Sequence, residues 1–258
     1  MVFLGTGTSF GIPQVGCRCP TCTSGDPRDR RSRCAVVIES GDRRLLIDTP
    51  PELRLQLLGA GVDRVDAVLF THGHADHVHG IDDLRALSVR AGGALAAYGS
   101  ADTMAELVAK FPYIFDRDQL PPPGTRVPEL TAHVLTPGEE CEIGGLPVRA
   151  LEFPHGAQRV LGYRVGSVAY VTDVKEVPPA AAAALAGLEV LVLSALFARP
   201  HPLHLSIPEA VAVARRLGAR RTLLTHLTHE TPHAALARSL PAGVEPAYDG
   251  LVIEVGGV

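Results

Sequence analysis

No apolar run in this chain approaches the roughly 18 residues of a membrane span, and the opening Met1-Val2-Phe3-Leu4-Gly5 has no basic stretch leading into an apolar one. Those absences argue against a membrane segment and a secretory leader, so a cytoplasmic protein is expected. A long basic run is missing too. With 24 Lys and Arg against 28 Asp and Glu the net charge is −4, a balance that does not favour nucleic acid or an anionic membrane as partner. Any anionic substrate must be attracted locally. Nothing resembles a linker, and 258 residues with 46% hydrophobic content can bury a large core, so a single domain over 1–258 is expected. Cysteine is scarce and odd in number, five in all. Three lie in Cys17-Arg18-Cys19-Pro20-Thr21-Cys22, too tight for ordinary disulfide pairing but suited to thiolate ligation of zinc. A small zinc-binding insertion around 17–34 follows. Cys34 and Cys141, without partners at metal-binding spacing, read as small buried residues. The loop Gly5-Thr6-Gly7-Thr8-Ser9 lacks the Gly-Lys-Ser/Thr that would make it a phosphate cradle, and its glycines better serve a close backbone approach beneath a site.

What the chain does have is histidine in one place. Thr71-His72-Gly73-His74-Ala75-Asp76-His77 follows the apolar run 65–70 and sets four potential ligands within six residues. A short turn cannot hold so many imidazoles and carboxylates unless something neutralises them, and a divalent metal does so. A solvated polar loop is the bland alternative. The spacing suits two metals, because His72 and His74 can turn to one side while Asp76 and His77 reach the other. Two metals imply hydrolysis by a metal-activated water, with no serine or cysteine nucleophile needed.

Periodicity places strands at 36–38, 45–47, 65–70, 146–153, 168–171, 190–193 and 222–224, and helices at 51–58, 81–90, 101–110, 179–186 and 206–217. The last has a Ser206/Glu209 capping box, Pro208 in its first turn and Gly218 as its stop. Helices and strands alternating along the whole length predict an α/β fold with sheets covered by helices. Asp48, His72, His155, Asp173 and His226 each follow a predicted strand, and open α/β sheets gather ligands at such carboxyl ends.

With these residues in order, the chain resembles the metallo-β-lactamase-fold hydrolases: T-H-G-H-A-D-H at 71–77, then His155, Asp173 and His226. The resemblance implies a four-layer αβ/βα sandwich with two divalent ions between its halves. By that pattern His72, His74 and His155 hold one ion, Asp76, His77 and His226 the other, and Asp173 bridges them. Asp48 would support the ligands from behind. Zinc or manganese suits such mixed sets, and iron is possible.

A narrower likeness joins G-T-G-T-S-F-G-I-P-Q-V-G-C-R-C-P-T-C at 5–22 with L-T-H-L-T-H at 224–229, and it is similar to the cyclic phosphodiesterase group that accompanies carbon-phosphorus lyase. It implies one structural zinc on Cys17, Cys19, Cys22 and His229, which agrees with three thiolates and an imidazole making a closed tetrahedral set. The expected function is hydrolysis of small phosphodiesters, cyclic ones among them. The same cluster also resembles pyrroloquinoline quinone biosynthesis protein B, so the alternative is an iron-dependent oxidoreductase or cofactor-maturation protein. His204 and Asp76 are the expected catalytic residues, Asp76 being a ligand as well. A protonated His204, just before the capped helix, would reach a phosphate or a leaving oxygen. His201 and His233 are weaker candidates, and His79 and His133 read as structural or exposed. The 111–124 segment is a lid, a subunit contact of a possible homodimer, or a plain connector.

Overall fold

The computed structural model describes residues 1–116, 118 and 121–256. Arg117, Gln119 and Leu120 of the 111–124 segment and the last two positions of the expected 1–258 domain lie outside the described residues. In chain order the strands are β1 (Val2–Gly5), β2 (Ala35–Ser40), β3 (Arg43–Ile47), β4 (Ala67–Leu69), β5 (Leu95–Gly99), β6 (Leu130–Val134), β7 (Glu140–Ile143), β8 (Leu146–His155), β9 (Gln158–Val165), β10 (Val168–Val171), β11 (Val190–Ser194), β12 (Arg221–Thr225) and β13 (Val244–Pro246). The helices are α1 (Leu53–Ala60), α2 (Ala75–Val78), α3 (Arg85–Ala91), α4 (Ala101–Lys110), α5 (Pro112–Phe115), α6 (Pro179–Ala184), α7 (Ile207–Leu217) and α8 (His233–Ser239).

Among the described residues the strands form two sheets, one in the order β1 to β6 and one in the order β13 to β7. Each is antiparallel at one end and parallel at the other, β3 to β6 in the first and β10 to β13 in the second. Both faces of the central strands are buried, and the period of two divides their side chains. Val36 and Ile38 of β2 and Val168 and Tyr170 of β10 point into the layer between the sheets. Ala35 and Val37 turn instead to α1, α3 and α4, while Ala169 and Val171 turn to α6, α7 and α8. The result is helix, sheet, sheet, helix: the expected four-layer α/β sandwich.

Several local expectations shift. The 65–70 strand contracts to β4, and the 81–90 helix begins as a tight 3-10 turn, Ile81–Leu84, before α3. Such turns are common at helix starts. β5 was not expected, because Leu95-Ala96-Ala97 has helical composition; its place between β4 and β6 overrides that local preference. The capping box on α7 is present, with Ser206 as N-cap and Gly218 left-handed at the C-cap. In the 111–124 segment Phe111, Ile114 and Phe115 pack into the helix-side core, and the Tyr113 hydroxyl donates to Asp82 at 3.0 Å. That part is a packed connector.

Two hydrogen bonds tie the sheets together where the histidine motif begins. The buried Tyr163 hydroxyl of β9 donates to the Phe70 carbonyl at 2.6 Å, and Leu161 N donates to the Thr71 carbonyl at 2.9 Å. Tyr163→Phe keeps the ring packing but leaves the Phe70 carbonyl without this donor. It is expected to lower stability by about 1–3 kcal/mol in urea unfolding, and to weaken metal binding measured by calorimetry; an unchanged midpoint would show that this bond is dispensable.

Candidate metal centre

The ligand candidates occupy the carboxyl ends of strands from both sheets. Asp48 follows β3, Thr71 and His72 follow β4, Asp173 follows β10 by one residue and His226 comes directly after β12. His155 was expected beyond its strand but is the last residue of β8, which runs two residues longer than predicted. His74 is the N-cap of α2, and Asp76 and His77 lie in that helix. Asp48, Asp173 and His226 are the described non-glycine residues with positive φ, at 66°, 55° and 58°. Each such turn costs on the order of 1 kcal/mol or more, and Asp and His tolerate it better than most side chains. The strain sits where a strand must turn sharply and aim its side chain into the gap between the sheets.

Two groups of ligand atoms converge there: His72, His74, His155 and Asp173 in one, and Asp76, His77, Asp173 and His226 in the other. Asp173 belongs to both. Its Oδ2 is 3.6 Å from His72 Nε2 and 3.5 Å from His77 Nε2, while its Oδ1 is 3.2 Å from His226 Nε2. His72 Nε2 and His74 Nδ1 are 2.9 Å apart, and Asp76 Oδ2 lies 3.5 Å from His77 Nε2 and 3.8 Å from His226 Nε2. Atoms bound about 2.1 Å from one ion lie roughly 3.0–3.4 Å from each other, so this spacing is close to that of a ligand set. His77 Nε2 and both ring nitrogens of His226 are buried without a hydrogen bond. Leaving such atoms unpaired costs roughly 1–3 kcal/mol each, and metal ligation removes that cost. The residues fit two ions.

The rings are oriented from behind. Asp48 accepts from Thr71 N and Thr71 Oγ1, each at 2.8 Å, and from His77 Nδ1 at 2.7 Å, all out of contact with solvent. Burial pushes the Asp48 carboxyl up, and these three donors oppose it. With its Nδ1–H committed to Asp48, His77 must present Nε2 to the cavity. His72 Nδ1 is 3.0 Å from Thr71 Oγ1, and His155 Nδ1 donates to the Leu203 carbonyl at 3.3 Å, so those rings offer Nε2 as well. Burial disfavours charge on His77, yet the Asp173 and Asp48 carboxylates outweigh it and hold that imidazole well above its ordinary range. Burial likewise opposes charge on Asp173, but His226 and His77 keep it well below the usual carboxylate range. Burial lowers His72 and His155 towards the neutral form that a ligand needs.

The thiolate cluster is a separate group. Cys17, Cys19 and Cys22 place Sγ at 3.2, 3.4 and 3.4 Å from His229 Nδ1. A tetrahedral zinc with bonds of about 2.3 Å to sulfur and 2.05 Å to nitrogen would hold those atoms roughly 3.5 Å apart. The four residues fit a closed zinc site. Cys22 N donates to Cys19 Sγ at 3.4 Å and pulls that thiol down to about 6, which favours the ligating thiolate.

Other candidates fall outside both groups. His204 has its ring centroid 4.9 Å from His155 and 5.1 Å from His226, so it faces one ring from each ligand group. Its Nδ1 is buried without a partner. Burial lowers its pKa to about 3, so the expected protonated imidazole is replaced by a neutral one; desolvation outweighs whatever the start of α7 contributes. His201 stands one ring further out, 5.1 Å from His204. His233 is buried against Arg31, 3.1 Å from its guanidinium, away from the ligands. His79 is exposed against Phe111, and His133 stacks on Tyr98. Cys34 is buried beside Thr225, and Cys141 is half-buried on β7.

Sequence reasoning missed the supports. Arg31, buried, donates to Thr6 Oγ1 at 2.8 Å and to the Ala247 carbonyl at 2.5 Å, while Thr6 Oγ1 donates to Asp249 at 2.7 Å. This network anchors the Gly5–Thr8 loop, which exchanges backbone hydrogen bonds with Leu227 next to His226. A Cβ at Gly5 would lie 1.9 Å from the Arg33 carbonyl, so its glycine serves a close approach to the chain entering β2 rather than to the ligands. Lys110 of α4 similarly donates to the Gly73 carbonyl at 3.0 Å, between His72 and His74. No local signal marked Arg31, which lies among other arginines, or Lys110, the last residue of an ordinary helix.

The family model of the beta-lactamase superfamily domain matches residues 43–227. The chain belongs to the β-lactamase superfamily. A crystal structure of a new diphosphatase from the PhnP family is 40% identical, with a TM-score of 0.89, over 97% of this chain and 94% of that one. A protein called octanoyltransferase from Porphyromonas gingivalis is 36% identical over 253 residues, 97% of this chain but 50% of its own length, so this chain spans half of that relative. Coenzyme PQQ synthesis protein B from Methylobacterium radiotolerans is 30% identical over 223 residues, 74% of this chain and 71% of that protein. With these relatives the two-sheet architecture is the metallo-β-lactamase fold. No described helix is long and apolar enough to cross a membrane.

Asp173→Ala is expected to abolish metal uptake at both ligand groups, as measured by elemental analysis after metal loading and gel filtration; a full metal complement would show that neither group depends on Asp173. Cys19→Ser is expected to lower the zinc taken up by zinc-loaded protein by about one equivalent and the thermal midpoint by on the order of 5–10 °C. Unchanged zinc and an unchanged midpoint would mean that the cluster does not bind metal.

Proposed function

We propose that the protein is a dinuclear metal-dependent hydrolase of phosphoryl bonds in small molecules, phosphodiesters or diphosphates. The observation that carries this reading is the sharing of the buried Asp173 between two ligand groups. The 40% identity to a PhnP-family diphosphatase, spread over both chains, supports a phosphoryl substrate. Hydrolysis is weighed above the oxidoreductase or cofactor-maturation alternative because the PQQ relative is less similar and matches a smaller share of this chain.

In this reading His72, His74 and His155 would hold one ion and Asp76, His77 and His226 the other, with Asp173 available to both sets; zinc, manganese or iron would suit the mixed donors. Bound ions would supply activation of water and neutralisation of phosphoryl charge. The protein's own contribution is orientation. Asp48, Thr71 and the Leu203 carbonyl set which ring nitrogen His77, His72 and His155 present, so that these three rings need not reorganise when substrate arrives. His204, placed between His155 and His226, presents a neutral ring to whatever occupies the space above the ligands. A neutral imidazole donates one N–H, which suits a hydrogen bond to the leaving oxygen as charge develops on it. Asp76 acts as a ligand and keeps His77 and His226 in place.

The reading is tested by loading the purified protein with zinc or manganese and assaying phosphodiesters, diphosphates, phosphomonoesters and lactams. Turnover of the first two classes, abolished by chelation, is expected; metal-loaded protein active only on lactams would overturn it. His204→Ala is expected to keep its metals and lose roughly 100-fold in turnover with an alkoxide leaving group, but less than about tenfold with a nitrophenolate. Equal losses on both would assign His204 to phosphate binding, and no loss would remove it from the site.

A further inference from the structure

A cleft of about 210 Å³ opens against the loop that follows His226; its walls include Thr8, Phe10, Phe197, Arg199, Thr228 and Glu230, together with His229 of the thiolate cluster. Its walls are continuous with the metal-bearing edge. Thr8 N donates to the Leu227 carbonyl, Thr228 N to the Leu196 carbonyl and Ala195 N to the Thr225 carbonyl, at 3.2, 3.2 and 2.9 Å. A file of rings also runs out from the ligands: His226 to His204 at 5.1 Å, His204 to His201 at 5.1 Å, and His201 to Phe197 at 5.7 Å. The cleft sits at the end of that file.

Two of its walls carry exposed groups suited to stacking. Phe10 is 66% exposed, an unusual position for a phenyl ring on a loop so firmly held to the strand ends. Arg199 is 64% exposed yet immobilised: its guanidinium lies 4.0 Å over the Phe197 ring, and its NH1 contacts both Glu230 oxygens at 2.6 and 2.7 Å. A solvent-facing arginine loses side-chain entropy to hold such a geometry. What it gains is a flat, rigid plate with its charge already balanced by Glu230, so it is poorly suited to capture a free phosphate. A guanidinium held this way stacks on planar π-systems, as it does on bases. The cleft is smaller than the roughly 300–1,000 Å³ of sites that enclose a whole ligand, and so it accommodates one flat ring system whose remainder lies elsewhere.

We propose that this cleft binds the heteroaromatic base of a nucleotide, making the substrate a nucleoside-linked phosphodiester or diphosphate whose phosphoryl group reaches the metal centre. The proposal rests on the phosphoryl-hydrolase reading for the second half of that statement and on the cleft alone for the first. A mononucleotide-sized ligand also agrees with a net charge of −4, which opposes the binding of a long polyanion.

Three probes separate the two halves: adenosine, ribose 5-phosphate and AMP, titrated into metal-loaded protein by calorimetry, with saturation-transfer NMR for weak binding. AMP is expected to bind at least tenfold more tightly than ribose 5-phosphate, and adenosine to show saturation transfer to its base protons. Phe10→Ala and Arg199→Met are each expected to weaken AMP roughly tenfold, the usual scale for one base stacked on a side chain, and to leave ribose 5-phosphate unchanged. Equal affinity for AMP and ribose 5-phosphate, with no adenosine signal, overturns the base site. Equal weakening of both phosphates by Arg199→Met overturns it too, assigning the arginine to phosphate. If adenosine binds and loses its signal in Phe10→Ala while ribose 5-phosphate does not bind at all, the base site stands and the phosphoryl-hydrolase reading fails.

Discussion

The Asp173 carboxylate lies between the two sheets with 2% exposure, within 3.6 Å of three imidazoles and with a share in both ligand groups. A buried charge is tolerated only when opposite charge or a metal surrounds it, and removing one partner leaves the others uncompensated. Asp173 is therefore the point on which the two halves must agree. His72 and His77 come from the first sheet and its following helix, His226 and Asp173 from the second. The bonds from Tyr163 to Phe70 and from Leu161 to Thr71 hold the two edges at the separation that this carboxylate requires.

The same requirement explains where the backbone is strained. Asp48, Asp173 and His226 take a left-handed conformation at the ends of β3, β10 and β12, and each sends its side chain towards the gap between the sheets. Regular strands on either side supply the rigidity that keeps such turns in place. Stability from continuous apolar packing thus sustains local conformations that would not persist in a free loop. The supports at a distance follow the same logic: Arg31 and Asp249 lock the Gly5–Thr8 loop, which in turn holds Leu227 beside His226.

Much of this was legible in the chain because the chemistry is concentrated. Four ligands in six residues at 72–77 announce a metal, and an apolar run ahead of each of Asp48, His155, Asp173 and His226 places them at strand ends. The layers could be inferred because central strands with two buried faces have near-continuous apolar sequences. β5 and β9 were harder to see: the first is rich in alanine, and the second mixes Arg159, Gly162 and Arg164 with its apolar positions. Their identity comes from neighbours distant in sequence. The charge state of His204 was misjudged for a related reason, since its position before a capped helix is local while its burial is made by His155 and His226 from other strands. Arg31 and Tyr163 gave no sign at all, because a buried guanidinium or hydroxyl is defined only by the partner it finds.

His226 and His229 are three residues apart on one short loop, yet His226 faces Asp173 while His229 faces cysteines 207 to 212 positions earlier in the chain. A ribosome would therefore deliver the thiolates and the Asp76–His77 pair long before either of their sets could close. Through most of synthesis the nascent chain would carry open ligand sets with affinity for metal but no defined geometry, and one short stretch near position 229 would complete both within a fraction of a second.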